Sequence, residues 1–120
     1  MSDQPLFSQG EPLDDHRLQG LVALVTGAGL GARGGIGAGL ARRLAQAKAT
    51  VAVNDLTMDA AMATVDELRQ LGVASEAFVG DVGRPGDASR LVAQVQARFG
   101  SLDILVNNAG IRGRNTVDHI

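Results

Sequence analysis

The stretch LVALVTGAGLGARGGIGAGL, from Leu21 to Leu40, decides the fold of this 120-residue chain. Its first part is almost entirely aliphatic or β-branched, which is typical of a strand buried on both faces of a parallel sheet. Seven glycines follow within the same stretch. Ile36, Leu40 and Leu44 then recur at a spacing of four, which predicts a helix with these side chains on one face. The stretch therefore predicts a strand, a glycine-rich turn and a helix in direct succession.

The same alternation continues along the rest of the chain. Three more strands are predicted, at Thr50–Asn54, Ala77–Val79 and Leu102–Val106. Two more amphipathic helices lie between them, one stopping at Gly72 and one at Gly100. Because crossovers between parallel strands are right-handed, this order predicts an α/β domain with a doubly wound parallel sheet. We expect about four strands and three helices, an incomplete version of such a sheet.

Composition excludes several classes of function. The net charge is −2 and the arginines are scattered along the chain, so no nucleic-acid partner is predicted. With no cysteine and only two histidines, near opposite ends, the sequence predicts neither disulfides nor a metal site. Residues 1–19 are interpreted as a flexible polar leader without an export signal, and residues 20–120 as one domain. We expect a cytoplasmic protein without a membrane partner.

The glycine-rich turn is suited to hold a phosphate group. Backbone N–H groups at the start of a helix bind anions, and glycine lets the backbone approach them closely. Gly29, Gly31 and Gly34 satisfy the G-x-G-x-x-G pattern of dinucleotide sites, although a tightly packed turn uses the same residues. No Gly-Lys-Ser/Thr follows, which excludes a P-loop. The strand before the turn and the helix after it favour the phosphate interpretation.

An acidic residue follows the second predicted strand. Asp55 lies eighteen positions beyond Gly37, close to the ~20-residue spacing at which a carboxylate reaches the ribose hydroxyls of a dinucleotide. A carboxylate also repels a 2′-phosphate, so Asp55 favours NAD over NADP. Two alternatives stay open. Asp55 could instead cap the helix that begins near Met58, and Arg33 in the glycine-rich turn could pair with a 2′-phosphate.

The turn resembles the first turn of the short-chain dehydrogenases/reductases, which reads Thr-Gly-x-x-x-Gly-x-Gly. Thr26-Gly27 matches its start and Gly35-Ile36-Gly37 matches its end. Gly27 and Gly35 lie eight positions apart, twice the spacing in the family pattern, so Gly31 is an alternative for the first of the spaced glycines. Both registers stay open. The resemblance implies a Rossmann-like NAD(P)-binding domain, with the third strand outermost and the first strand between the second and the fourth.

Two later motifs extend the resemblance over roughly residues 18–111. Asp81 and Val82 follow the third predicted strand, where the family places an aspartate against the adenine, although such an aspartate also forms Asx-turns. Asn107-Asn108-Ala109-Gly110 follows the fourth; in the family its first Asn braces neighbouring strands and its Ala-Gly lets the cofactor approach. The implied cofactor contacts are Gly27, Gly29, Gly31, Gly35, Ile36, Gly37, Asp55, Asp81, Val82, Asn107, Ala109 and Gly110.

The resemblance implies a homo-oligomeric oxidoreductase that transfers hydride between a nicotinamide cofactor and an alcohol or carbonyl substrate. The family's acid/base residues are a Tyr-x-x-x-Lys pair, but this chain has no tyrosine and its only lysine, Lys48, falls in the first predicted helix. We therefore assign no catalytic residue and interpret the chain as a truncated, nucleotide-binding portion of such an enzyme. The alternatives are a non-catalytic nucleotide- or partner-binding module and a methyltransferase, and the Asn-Asn-Ala-Gly motif argues against methyl transfer.

Because the acid/base pair is missing, we expect the purified 120-residue chain to be inactive. It should show no NAD-dependent oxidation of alcohols and no NADH-dependent reduction of carbonyls, measured by NADH absorbance across a substrate panel. Turnover that persists through rigorous purification and stops when bound cofactor is stripped away would contradict this expectation.

Overall fold

Four strands and three helices alternate along residues 15–29 and 35–108, the part of the chain described by this computed structural model. The strands are β1 (Val22–Val25), β2 (Thr50–Asp55), β3 (Ser75–Val79) and β4 (Ile104–Val106). The helices are α1 (Ile36–Gln46), α2 (Met58–Gln70) and α3 (Asp87–Phe99). Within these ranges no helix has the length and apolar character that crossing a lipid bilayer requires. The predicted alternation of strands and helices is confirmed.

All four strands are parallel and lie in the order β3-β2-β1-β4. In the centre of the sheet, Leu24 of β1 pairs with Ala52 of β2 on one side and with Leu105 of β4 on the other. This order confirms the one that the resemblance implied. Since the strands are parallel, their carboxyl ends and the turns that follow them share one edge of the sheet.

Helices cover both faces of the sheet, which makes it doubly wound. On one face, α1 and α2 pack against a core that contains Val25, Val51 and Val53. On the opposite face, Val95 of α3 packs against the alternate strand positions, including Leu24. This division follows from right-handed crossovers, because the path from β1 to β3 runs toward one edge of the sheet and the path to β4 runs back.

Helix α1 packs on the sheet through its smallest side chains. Its buried residues are Gly37, Ala38, Ala41 and Ala45. Ile36 and Leu40 are 76% and 39% exposed and lie off the packing face, whereas Leu44, the third residue of the predicted aliphatic face, packs against the core. Small residues occupy the contact between α1 and the sheet because they let the helix backbone lie close to β1 and β2.

The ends of the elements are set by turn and cap residues. Thr57 caps α2, its hydroxyl accepting a hydrogen bond from the Ala60 N–H at 3.2 Å, so the interpretation of Asp55 as the cap is wrong. Gly72 and Gly100 end α2 and α3 with left-handed φ values of 90° and 88°, as predicted. At the strand boundaries, β3 starts earlier and β4 starts later than the sequence predicts.

Residues 15–19, the end of the predicted leader, pack against the amino-terminal edge of the sheet. The Leu18 N–H donates to the Ala47 carbonyl at 2.9 Å, and the Leu18 side chain contacts the core. Asp15 accepts hydrogen bonds from Arg17 and from Arg43 of α1. The Arg17 hydrogen bonds, aided by Arg43, hold the pKa of Asp15 well below its ordinary value. Residues 1–14 lie outside the described part of the chain.

Lys48 follows α1 with a left-handed φ of 77°, a conformation that strains any residue with a Cβ. We expect Lys48→Gly to raise the free energy of unfolding by roughly 0.5–1 kcal/mol, because relief of the strain exceeds the entropy that glycine gains in the unfolded chain. Urea titration measures the change. Lys48→Ala is the matched control, since it removes the charge and keeps the Cβ. Equal stability of the two variants would contradict the strain argument.

Candidate functional site

A cleft of about 730 Å³ lies at the carboxyl edge of the sheet. All four strands contribute to it, because residues at or just beyond their carboxyl ends line it together with the first turns of α3. The cleft lies beside β1, where the order of the strands reverses, and ligands of doubly wound sheets bind at such a switch point. Its wall on the α3 side is apolar and includes Leu91, Val92 and the half-exposed Leu105.

The turn after β1 is held by the strands on both sides of it. Gly27 has a left-handed φ of 62°, and its N–H donates to the Asn54 Oδ1 of β2 at 3.3 Å. The Ala28 N–H donates to the Asn54 carbonyl at 2.8 Å. On the other side, the Thr26 N–H donates to the Val106 carbonyl of β4 at 3.0 Å. The path of the chain is therefore fixed where it leaves the sheet.

The start of α1 lies directly against this turn. A Cβ on Gly37 would collide with the Gly27 carbonyl oxygen and would lie 2.6 Å from the Asn108 Nδ2. Gly35 is the extended N-cap residue of α1, and Ile36 is its first residue. The first N–H groups of a helix have no partner within the helix and carry the positive end of its dipole, so this end of α1 can bind an anion. Gly31 and Gly34 lie outside the described residues.

Asp55 ends β2 with both carboxylate oxygens engaged by backbone donors. Its Oδ2 accepts from the Gly29 N–H at 2.8 Å, and its Oδ1 accepts from the Leu56 N–H at 2.7 Å. A Cβ on Gly29 would lie 2.6 Å from the carbonyl carbon of Ala60 in α2, so close packing requires glycine there. The carboxylate lines the cleft in one fixed orientation. Arg33, the competing candidate at this end, lies outside the described residues.

Asp81 and Val82 line the cleft beyond the end of β3. The Asp81 Oδ1 accepts from the Gly83 N–H at 2.9 Å, which is the Asx-turn anticipated as an alternative. The Asp81 N–H donates to the Oδ2 of Asp87, the first residue of α3, at 3.0 Å. Asp81 therefore has a structural role in its turn, and the same turn presents it to the cleft.

The two asparagines after β4 brace β4 against β1. The Thr26 hydroxyl donates to the Asn107 Oδ1 at 3.2 Å, which is the bracing that the resemblance implied for the first Asn. Asn108, which the sequence did not single out, donates from Nδ2 to the Gly27 carbonyl at 3.1 Å and from its N–H to the Thr26 hydroxyl at 3.0 Å. Ala109 and Gly110 lie outside the described residues.

Asn54, like Asn108, is a residue of the site that sequence reasoning missed. Its side chain lines the cleft although the residue is only 1% exposed. The Nδ2 donates to the carbonyls of Phe78 and Gly80 at 2.9 and 3.1 Å, while the Oδ1 accepts from Gly27. The signal for it was an amide side chain at the end of the otherwise aliphatic run TVAV.

The site suits a nucleotide better than a metal ion. Among the described residues, no group of three His, Cys, Asp or Glu side chains could hold a metal. The cleft instead has an oriented carboxylate and an apolar wall, and the start of α1 lies against the Gly27 turn that lines it. These are the features that a phosphate, a ribose and a base require.

This doubly wound sheet with a glycine-rich turn at its switch point defines a Rossmann-like α/β fold. The family model described as short chain dehydrogenase matches residues 21–120, and the chain belongs to that family.

The chain is 43% identical over 99 residues to versicolorin reductase 1 of Aspergillus parasiticus, a match that covers 82% of this chain and 36% of that protein. It is 41% identical over 105 residues to the 7alpha-hydroxysteroid dehydrogenase of Escherichia coli K12, covering 88% of this chain and 40% of that protein. The chain thus spans less than half the length of these relatives.

Solved structures agree with the fold. A short chain dehydrogenase of Mycobacterium smegmatis superposes with a TM-score of 0.72 at 38% identity, covering 82% of this chain and 40% of that one. A 7alpha-hydroxysteroid dehydrogenase complexed with NADH and 7-oxo glycochenodeoxycholic acid gives a TM-score of 0.70 at 40% identity, covering 78% and 35%.

The contact at Gly37 yields a stability prediction with an internal control. We expect Gly37→Ala to lower the free energy of unfolding by about 1–3 kcal/mol, because the new methyl group must displace Gly27 or Asn108. In the same helix, a Cβ on Gly39 meets no described heavy atom within 4 Å, so Gly39→Ala should raise stability by about 0.5–1 kcal/mol. Thermal melts of the two variants check the opposite signs. Equal shifts would show that α1 does not approach the turn as closely as the structure places it.

Proposed function

We propose that this chain is the nucleotide-binding portion of an oxidoreductase that transfers hydride between a nicotinamide dinucleotide and an alcohol or carbonyl substrate. The observation that carries the proposal is the convergence of the turn after β1, Asp55, Asp81 and Asn107 on one cleft. These residues are far apart in sequence, and the topology alone brings them together. A bound nicotinamide would supply the hydride acceptor or donor.

The pyrophosphate would bind at the start of α1. The backbone N–H groups of the first turn of α1 lie at the positive end of the helix dipole, and glycine at position 37 lets this end of the helix pack directly against the turn after β1. Gly35 and Ile36 would contribute the N–H groups of the first turn. Gly31 would extend this cradle from the remainder of the loop.

The adenosine ribose would bind at Asp55. A carboxylate that is already held by two N–H groups keeps its remaining lone pairs in a fixed direction, so little conformational entropy is lost when it accepts the ribose hydroxyls. A 2′-phosphate would place a second negative charge beside it. The charge of Asp55 therefore supports NAD as the preferred cofactor. Gly29 contributes by donating to the same carboxylate.

The adenine would lie between the turn after β3 and the apolar wall of the cleft. Asp81 could accept from the adenine amino group, and Val82 could contribute backbone contacts beside it. At the other end, Asn107, Ala109 and Gly110 would border the nicotinamide. This assignment places the base in the less polar part of the cleft and the phosphates at the helix start.

The acid/base chemistry would come from residues that this chain does not contain, because it has no tyrosine. Among relatives, one is by name a versicolorin reductase and another a dehydrogenase of a 7alpha-hydroxysteroid, which supports an alcohol/carbonyl substrate class for the whole protein. We further propose that the whole protein is cytoplasmic and homo-oligomeric.

Calorimetric titration tests both the proposal and the cofactor preference. The unmutated protein should bind NAD more tightly than NADP. Asp55→Ala should weaken NAD binding by about tenfold or more, since each hydrogen bond to a charged group contributes roughly 1.5–3 kcal/mol. The same substitution should reduce the difference between the affinities for NAD and NADP. Asp66→Ala, an exposed carboxylate on α2, is the charge-matched control and should leave both affinities unchanged. Tighter binding of NADP by the unmutated protein would refute the assigned preference.

A further inference from the structure

We infer that Asn54 is a positioning residue that couples two turns of the nucleotide cleft. These are the turn after β1, at Gly27, and the turn after β3, at Gly80 to Gly83. This inference rests on the proposed function for its meaning, since these turns carry the proposed pyrophosphate and adenine contacts. The observation behind it is a single buried amide that hydrogen-bonds to both turns.

No strand ladder joins these two turns directly. The strands β1 and β3 are separated by β2, so the width of one strand lies between their carboxyl ends. The Asn54 side chain spans this gap, accepting from the Gly27 N–H at 3.3 Å and donating to the Gly80 carbonyl at 3.1 Å. Backbone bonds at the same level, from Ala28 to the Asn54 carbonyl and from Gly80 to the Asp55 carbonyl, complete the cross-connection.

Only an amide satisfies the partners on both sides. Its oxygen faces an N–H group, and its NH₂ group faces two carbonyls across the strand boundary, those of Phe78 and Gly80, besides the Asp55 carbonyl of its own strand at 3.5 Å. The reverse orientation would place donor against donor and acceptor against acceptor, so the positions of oxygen and nitrogen follow from the partners. A carboxylate would repel both carbonyls, and an aliphatic side chain would leave buried polar groups unpaired.

Three proposed nucleotide contacts are therefore connected to one residue, Asn54. The turn at Gly27 and the turn at Asp81 are hydrogen-bonded to one side chain, and Asp55 is the next residue along the backbone. A displacement of either turn must stretch the Asn54 bonds and is transmitted to the other. Binding at one of these turns should consequently order the other, with the reciprocity that thermodynamic coupling requires.

Asn54→Asp is the sharpest test, because it keeps the shape and replaces the donor group. At pH 8 the introduced carboxylate repels the Phe78 and Gly80 carbonyls, and NADH affinity, followed by fluorescence titration, should fall at least tenfold. As the pH is lowered toward 5.5, protonation restores one donor and the affinity should recover, while that of the unmutated protein stays nearly constant. A uniform loss of affinity with no recovery would overturn the positioning role.

Val51→Ala is the matched control for stability. Val51 is fully buried at the opposite end of the same strand and lies outside the cleft lining. Its truncation should destabilise the domain and leave the NADH affinity of the folded fraction unchanged. If Val51→Ala weakens binding as much as Asn54→Asp does, then Asn54 acts only through the stability of β2 and the inference fails.

Amide hydrogen exchange separates this inference from the proposed function. In the unmutated protein, adenosine should slow exchange at Gly27, and inorganic pyrophosphate should slow exchange at Asp81 and Gly83. This measurement does not depend on a variant that folds. Without any ligand, Asn54→Asp should speed exchange in both turns and spare Val53. Faster exchange in both turns, in a protein that binds no nucleotide, would refute the function and uphold the coupling. Exchange that changes in one turn alone would refute the coupling.

Discussion

At Gly37 the backbone of α1 touches the turn after β1, and no side chain fits between them. Much of the domain follows from this contact. The alanines of α1 continue the same close packing along the sheet, and the start of the helix is held at the switch point beside the cleft. Asn108 closes the contact from the β4 side, so the helix start, the central strand and the edge strand meet at one place. Glycine is the only residue that this junction admits.

The sequence pattern was sufficient to predict the alternation of strands and helices and the parallel direction of the strands, while the order of the strands in the sheet was implied by the family resemblance. Runs such as LVALVT mark buried strands by composition alone, and Gly72 and Gly100 mark helix ends because glycine adopts left-handed φ values without strain. The packing face of α1 could not be predicted in this way. The periodicity argument assigns the large aliphatic side chains to the buried face, whereas here small side chains face the sheet and Ile36 faces away.

Some residues of the candidate site could be predicted from the sequence and others could not. Asp55 and Asn107 could be selected because each directly follows a strand that the sequence predicts, and ends of parallel strands share an edge. Asn54 could not be selected, because Asp55 beside it already accounted for a polar residue at the end of β2. Its role depends on the Gly27 N–H and the Gly80 carbonyl, which are brought within reach only by the assembled sheet. Thr57 likewise became recognisable as the cap of α2 only once the first turn of that helix was located.

Strands that pair in the sheet are separated by very different numbers of residues along the chain. Val22 of β1 pairs with Thr50, and Val51 of β2 pairs with Ser75, whereas Ala23 of β1 pairs with Ile104. The bond from the Val22 N–H to Asp103 closes a separation of 81 residues. Ordering so long a loop is entropically costlier than ordering the shorter β-α-β units. During folding, β1 to β3 should therefore assemble around α1 and α2 first and β4 should dock last. Since β4 and the asparagines after it complete the cleft, we expect the binding site to be the last part of this domain to form.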